Sequence, residues 1–248
     1  MRPDELYKEL CEFYPESLRC PWDNDGLMCS AGPREVERIL VALDATEEVL
    51  IYAAENDFDT VLTHHPMIFE KQKAITPDNN VGRKIIFALM NNISVISLHT
   101  RFDAAENGVN DALAEAIGLA NVEKFGLPGE VPMGRIGDLP YPMSELELRD
   151  LVAEKLSSDK MDSKDSIEVD LIKKVAVLGG AGKDFIEAAK AVGADAFVTG
   201  EVPYNAMLDA AENGTVIVTA GHYFTEFPGC LTLAKAADRI TGAYVEVF

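Results

Sequence analysis

Positive charge is what this chain has least of. Lys and Arg number 22 against 42 Asp and Glu, giving a formal net charge of −20, and the cations are scattered rather than gathered into a stripe. Such a chain repels a phosphate backbone, so no nucleic-acid partner is expected; an acidic surface instead favours solubility and draws cations toward a carboxylate-lined cleft. Uninterrupted apolar stretches of about 18 residues are missing, which predicts no transmembrane helix and no membrane partner. No apolar segment follows Met1-Arg2-Pro3-Asp4-Glu5, so no secretory signal is expected. The cysteines, Cys11, Cys20, Cys29 and Cys230, have no C-x-x-C spacing. They are read as thiols packed like small apolar residues in a reduced, cytoplasmic compartment, not as a disulfide framework or metal ligands. A P-loop is absent too; Gly179-Gly180-Ala181-Gly182-Lys183, after a strand, is the nearest thing to a phosphate cradle.

What is present is an alternation of apolar patterns over 248 residues, 48% of them hydrophobic, enough for a real core. Residues 3–13 read as a helix, and Pro21-Trp22-Asp23-Asn24-Asp25-Gly26 as a loop of turn formers. Strands are predicted at 36–43, 60–63 and 93–98. Helices are predicted at 46–56, with Thr46 as N-cap, at 81–90 and at 109–117. Residues 126–142 carry eight Gly and Pro, which reads as a loop and a boundary between lobes 1–126 and 127–248. Ser144-Glu145-Leu146-Glu147 is a capping box opening a helix to about Leu156. Residues 157–166 read as a surface loop, followed by strands at 167–171 and 174–178.

An internal repeat organises the chain. A shift of 136 positions lays Ile39–Leu43 on Val175–Gly179 and Asp59–Thr63 on Asp195–Thr199. With a gap, Val95-Ile96-Ser97 falls on Ile217-Val218-Thr219, and His99 with Asp103 on His222 with Glu226. The expected fold class is therefore α/β, two similar lobes. The strand after Asp59 ends at His64-His65-Pro66, its counterpart at Gly200-Glu201, and both halves end a strand with His-x-x-x-Asp/Glu.

All four histidines thus lie at the carboxyl ends of predicted strands, where ligand sites gather in open α/β sheets. Adjacent strand residues point to opposite faces, so His64 and His65 are expected to hold different ions of a close pair, set against one exposed and one core histidine. If helices begin at His99 and His222, the imidazole and the carboxylate four residues on share a face. That is a donor set for zinc, iron, manganese or nickel, set against unrelated structural histidines.

Thr63-His64-His65-Pro66-Met67-Ile68-Phe69, His99-Thr100-Arg101-Phe102-Asp103 with Gly108-Val109-Asn110-Asp111, and Gly221-His222-Tyr223-Phe224-Thr225-Glu226 resemble three signatures of the Nif-three-like dinuclear-metal family. Its members are often named GTP cyclohydrolase 1 type 2 homologues, and Trp22-Asp23-Asn24 with Gly26 resembles the family's N-terminal signature. The resemblance spans the chain. It implies two α/β lobes, a dinuclear metal site in the cleft at the strand C-terminal ends, two divalent ions per subunit and a homohexameric ring. Carried over, His64, His65, Asp103, His222 and Glu226 are the metal ligands, with Glu226 bridging. His99 is expected beside them, holding a ligand carboxylate or water, and Arg101, where Asn is usual, brings a cation to the cavity's edge. Phe102, Thr225 and Asn205 replace the usual Leu, Ser and His. The implied function is metal-dependent hydrolysis of a nucleotide or small heterocycle, of the GTP cyclohydrolase 1 type 2 kind. A metal-handling or regulatory protein without turnover is the alternative, and a scaffold braced by metal is a third.

Overall fold

Short runs of Val, Ile and Leu, too brief for a helix and bounded by turn formers, become strands covered on both faces. The computed structural model describes residues 1–166 and 169–248. The first elements are α1 (Pro3–Phe13), β1 (Gly26–Cys29), β2 (Arg38–Ala42), α2 (Glu47–Glu55), β3 (Thr60–Thr63), α3 (Asn80–Met90) and β4 (Ser94–Ser97). Then come α4 (Thr100–Ala104), α5 (Val109–Ile117), β5 (Ala120–Phe125), β6 (Gly134–Met143), α6 (Glu145–Leu156), β7 (Asp162–Lys164) and β8 (Ile172–Ala181). The chain finishes with α7 (Ile186–Ala191), β9 (Ala196–Glu201), α8 (Tyr204–Glu212), β10 (Val216–Thr219), α9 (His222–Thr241) and β11 (Tyr244–Val247). No helix among the described residues is long and apolar enough to cross a membrane.

The chain forms two compact units, Met1–Ala105 with Cys230–Phe248, and Glu106–Gly229. The expected division at 126/127 is not where they part. Strand β11 returns to pair parallel with β2, from Tyr244↔Arg38 to Val247↔Val41, and so joins the first unit. Helix α5 packs on β6 and β8 and so joins the second.

Each unit has its own sheet, ordered β1-β4-β3-β2-β11 in the first and β5-β6-β8-β9-β10-β7 in the second. At the heart of each are three parallel strands joined by helical crossovers, with an antiparallel strand on the third. Leu40, Val61 and Val95 pack with Ile85 and Ala88 in one core; Val175, Val177, Val198 and Val218 pack with Leu148 and Val152 in the other. Each such fully buried side chain contributes about 1.5–3 kcal/mol.

The repeat survives to the level of single hydrogen bonds. Ile39 pairs with Thr60 as Val175 pairs with Ala196. Asp59 Oδ2 accepts the Glu37 and Arg38 N–H groups, both at 2.8 Å, and Asp195 Oδ2 accepts those of Lys173 and Lys174 at 2.8 and 2.9 Å. Each aspartate sits one residue before its strand and ties down the beginning of the neighbouring one.

Thr46 caps α2 by accepting the Val49 N–H, and Ser144 with Glu147 forms the capping box of α6, both as expected. Residues 126–142 are not the loop their composition suggests, because β6 begins at Gly134. Its glycines are there for close approach: a Cβ on Gly134 would strike the Phe125 ring, and one on Gly137 would lie 2.8 Å from the Ala120 carbonyl oxygen. Pro140 and Pro142 fall where pairing with β8 is irregular, between Asp138 and Met143, so their missing N–H groups cost no ladder bond. Arg135 on this strand is buried, its guanidinium bonded to Asp111 and the carbonyls of Met133 and Gly134. The surface loop expected at 157–166 contains β7, paired antiparallel with β10. Of the strand expected at 167–171, residues 167 and 168 lie outside the described residues, and 169–171 are not strand.

Because Asp59 is buried at 3% exposure and Asp195 is half-buried, removing their paired acceptors should cost unequally. Asp59→Ala is expected to lose about 2–3 kcal/mol and Asp195→Ala less, each leaving two backbone donors without their charged acceptor. Urea denaturation of the two variants beside wild type checks both the size and the order.

Candidate metal centre

Strand β3 stops at Thr63, and the backbone turns. The Thr63 hydroxyl donates to the His65 carbonyl at 2.9 Å, and the His65 N–H donates to Leu43 O, beyond the end of β2, at 2.9 Å. Because the strand has ended, the rule of opposite faces no longer applies: the His64 and His65 rings lie 4.9 Å apart, tilted by 43°. The His99 ring is 5.2 Å from His64 and 5.6 Å from His65. One ligand nitrogen from each of the three lies within 4.8 Å of the others, a group that could hold a metal ion. Asp103 joins them, its Oδ1 3.5 Å from His64 Nε2.

Each imidazole is held by its Nδ1. In the first unit that atom lies 2.9 Å from the Leu98 carbonyl in buried His64, 3.0 Å from Asp44 Oδ1 in His65 and 2.8 Å from Asp23 Oδ1 in His99. A carbonyl or an ionised carboxylate only accepts, so Nδ1 is the donor, and whenever a ring is neutral its lone pair lies on Nε2. Metal-ligating histidines are held in just this manner by their surroundings.

In the second unit β9 and β10 end beside the first turn of α9. His222 Nδ1 lies 3.1 Å from Glu201 Oε1, which fixes the same tautomer, and His222 Nε2 lies 3.1 Å from Glu226 Oε2 one turn on. Glu226 is 5% exposed. Glycine makes this packing possible: a side chain at Gly180 would collide with the Glu226 carboxylate, and one at Gly200 would lie 2.8 Å from the Thr225 hydroxyl. The Thr225 hydroxyl accepts the Gly180 N–H at 3.1 Å and donates to a carbonyl one turn back, so threonine here keeps the hydroxyl of the usual serine. The Gly179 N–H goes to Asn110 Oδ1 at 2.7 Å and that of Gly182 to the Glu201 carbonyl at 3.2 Å. These glycines belong to a strand end with its donors committed, not to a phosphate cradle.

The structure therefore groups His64, His65, His99 and Asp103 within the first unit, and His222 with Glu226 within the second. Arg101 is different. Expected at the cavity's edge, it is fully buried, with Nε and Nη2 donating to the two oxygens of Asp25 at 2.7 and 2.6 Å and Nη2 also to the Tyr7 hydroxyl at 2.9 Å. Burial opposes its charge, but Asp25 and Tyr7 outweigh that and raise its pKa. Motif reading missed the residues that hold the imidazoles: Asp23, Asp44 and Glu201. Asp23 stood in the Trp22-Asp23-Asn24 signature and Glu201 beside Gly200, but nothing local tied either to a histidine.

Asp23 carries a pH signature. Burial raises its carboxyl, but the hydrogen bond and charge of His99 and the hydrogen bonds from Thr100 outweigh that and hold it at about 2, below the ordinary 3.8. A carboxyl depressed on folding contributes stability above its unfolded pKa and loses it as pH falls from about 4 toward 2, a loss of order 2 kcal/mol. Thermal melts between pH 6 and 2.5 should show that loss in wild type and its absence in Asp23→Asn, already less stable at pH 6. At Arg101, replacement by Met should cost up to about 3–5 kcal/mol in urea, because buried Asp25 loses its bidentate counter-charge and keeps only the longer contact with Arg19 Nη1 at 3.3 Å.

The Duf34/NIF3 (NGG1p interacting factor 3) family matches residues 1–248. A Clostridium perfringens protein named GTP cyclohydrolase 1 type 2 homolog is 34% identical over 243 residues, covering 97% of this chain and 91% of that protein. The fold resembles the crystal structure of a Bacillus cereus protein related to NIF3, with TM-score 0.90, 24% identity and coverage of 100% of this chain and 96% of that one. It also resembles reduced HcgD from Methanocaldococcus jannaschii, with TM-score 0.84, 28% identity and coverage of 100% and 97%. With its whole length matched, the chain belongs to the Duf34/NIF3 family.

Proposed function

We propose that this protein binds two divalent metal ions through His64, His65, Asp103, His222 and Glu226, with Glu226 bridging, and acts as a metal-dependent hydrolase on a nucleotide or related heterocycle. This is the activity suggested by the name that relatives carry, GTP cyclohydrolase 1 type 2 homolog. We further propose that it works as a cytoplasmic homohexamer. One observation supports the metal reading most: every histidine in the chain has Nδ1 on a carbonyl or carboxylate, which presents Nε2 as the donor. Histidines placed for packing alone have no reason to share one tautomer at the ends of three strands.

Bound divalent ions would supply a water acidified toward neutrality and a clamp for a developing oxyanion. The chain's own residues do the rest. Leu98, Asp44 and Glu201 hold the imidazoles in register, and His99, braced by Asp23, offers its Nε2 to a proton or to a polar substituent of the substrate. A metal-handling role is the second reading, favoured by the solvent exposure of His65 and His222, whose side chains are 23% and 38% exposed against 1% for His64. Ligands open to water are those an acceptor protein can reach.

Elemental analysis of protein purified without chelators, beside His65→Ala and Glu226→Ala, followed by GTP turnover on the metal-replete wild type, tests this. Two metals per chain, lost from the variants, together with turnover are expected. Metal without turnover of GTP or other nucleotides shifts the assignment to metal handling, and undiminished metal in Glu226→Ala refutes the bridge.

A further inference from the structure

Two of the largest apolar side chains of the first unit stand in solvent beside the imidazole cluster. Trp22 is 63% and Phe69 51% exposed. Their rings lie 6.2 Å apart at 67°, and each faces His99 edge-on, at 6.2 Å and 73° for Trp22 and 6.1 Å and 84° for Phe69. Three rings 6 Å apart, mutually tilted, make a corner and not a filled core.

The corner is braced from behind. Asn24 Nδ2 donates to the Ile68 carbonyl at 2.5 Å, tying the loop of Trp22 to the segment of Phe69. Between them Asp23 grips the His99 ring, the Thr100 N–H at 3.0 Å and the Thr100 hydroxyl at 2.7 Å. Two segments more than forty residues apart are thus cross-tied, so little freedom remains to be lost on binding. Leaving such rings wet forgoes a large apolar gain, and a bound ring would recover it.

We infer that Trp22, Phe69 and His99 form a stacking corner for a planar heteroaromatic ring of purine size. With a net charge of −20, the chain has little to offer phosphates electrostatically, so recognition falls to the uncharged ring. The aromatic faces grip it by stacking, which is tolerant of ring identity. The inference rests on the metal reading for what the ring's substituents meet, but not for the grip on the ring itself.

Trp22 is the only tryptophan in the chain, so its emission reports this corner alone. The intact protein, in metal-replete and chelator-treated forms, is titrated with guanosine and with ribose 5-phosphate, which lacks the ring. Saturable quenching by guanosine in both forms, none by ribose 5-phosphate, and guanosine binding weakened roughly five-fold or more in Phe69→Leu with metal content unchanged are expected. Absent quenching, an equal response to ribose 5-phosphate, wild-type affinity in Phe69→Leu, or a Trp22 already shielded from acrylamide by a second copy of the chain would each overturn the corner. Quenching in protein found to hold no metal supports the corner while counting against the metal reading, so the two failures are distinct.

Discussion

A parallel strand covered on both faces has no room for a charged or wet side chain, and that constraint arranges everything else here. Strands β3 and β4 are buried along their whole length, so polar chemistry begins only where the ladder ends. At those ends the backbone turns, and groups that no longer serve a strand become available as partners. The Leu98 carbonyl past β4 takes His64 Nδ1, and Asp44, two residues past β2, takes that of His65. Orienting the imidazoles is thus a by-product of terminating buried strands side by side.

The two halves match where their strands begin and differ where they end. Asp59 and Asp195 do the same work where the strands begin, with the same acceptor oxygen and the same offsets. Where they finish, His64-His65 is answered by Gly200-Glu201. One half offers imidazoles at that point. The other offers a glycine that lets α9 approach and a glutamate that holds the imidazole arriving on α9. Residues at the amino ends tie neighbouring strands together; those at the carboxyl ends differ between the halves and carry or hold the imidazoles.

This division explains what could be read from the sequence. Parallel cores were legible because β-branched runs repeat at a fixed offset, and caps such as Thr46 and Ser144 announce their helices by local chemistry. Candidate ligands were legible for the same reason: the histidine and the carboxylate four residues on lie on one helical turn. The antiparallel part of the second sheet was not. Strand β6 carries two glycines, two prolines and a buried arginine, each explained only by a residue far away in sequence: Phe125, Ala120, Asp111 or an irregular stretch of β8. The partners of the imidazoles were hidden likewise, Asp23 lying 76 positions from His99.

Arg101 is built into the fold and not into the histidine cluster. Helix α4 spans only five residues, too few to hold itself together in water, yet it carries Asp103. Carboxylates from the 23–25 loop bind its N-terminal end, Asp25 at the His99 N–H and Asp23 at Thr100, where the helix dipole favours them. Arg101 adds a bidentate pair to Asp25 from within the helix, while Phe102 packs edge-on against Tyr14 at 4.8 Å. The cation that seemed, by position, to belong to the cavity therefore points the opposite way, into α1 and the loop. What Arg101 contributes to the candidate metal centre is an anchor for the short helix that carries Asp103 two residues on. A neutral side chain at 101 would leave Asp25 only the longer contact with Arg19 Nη1 at 3.3 Å, and α4 would lose its bidentate anchor to the loop.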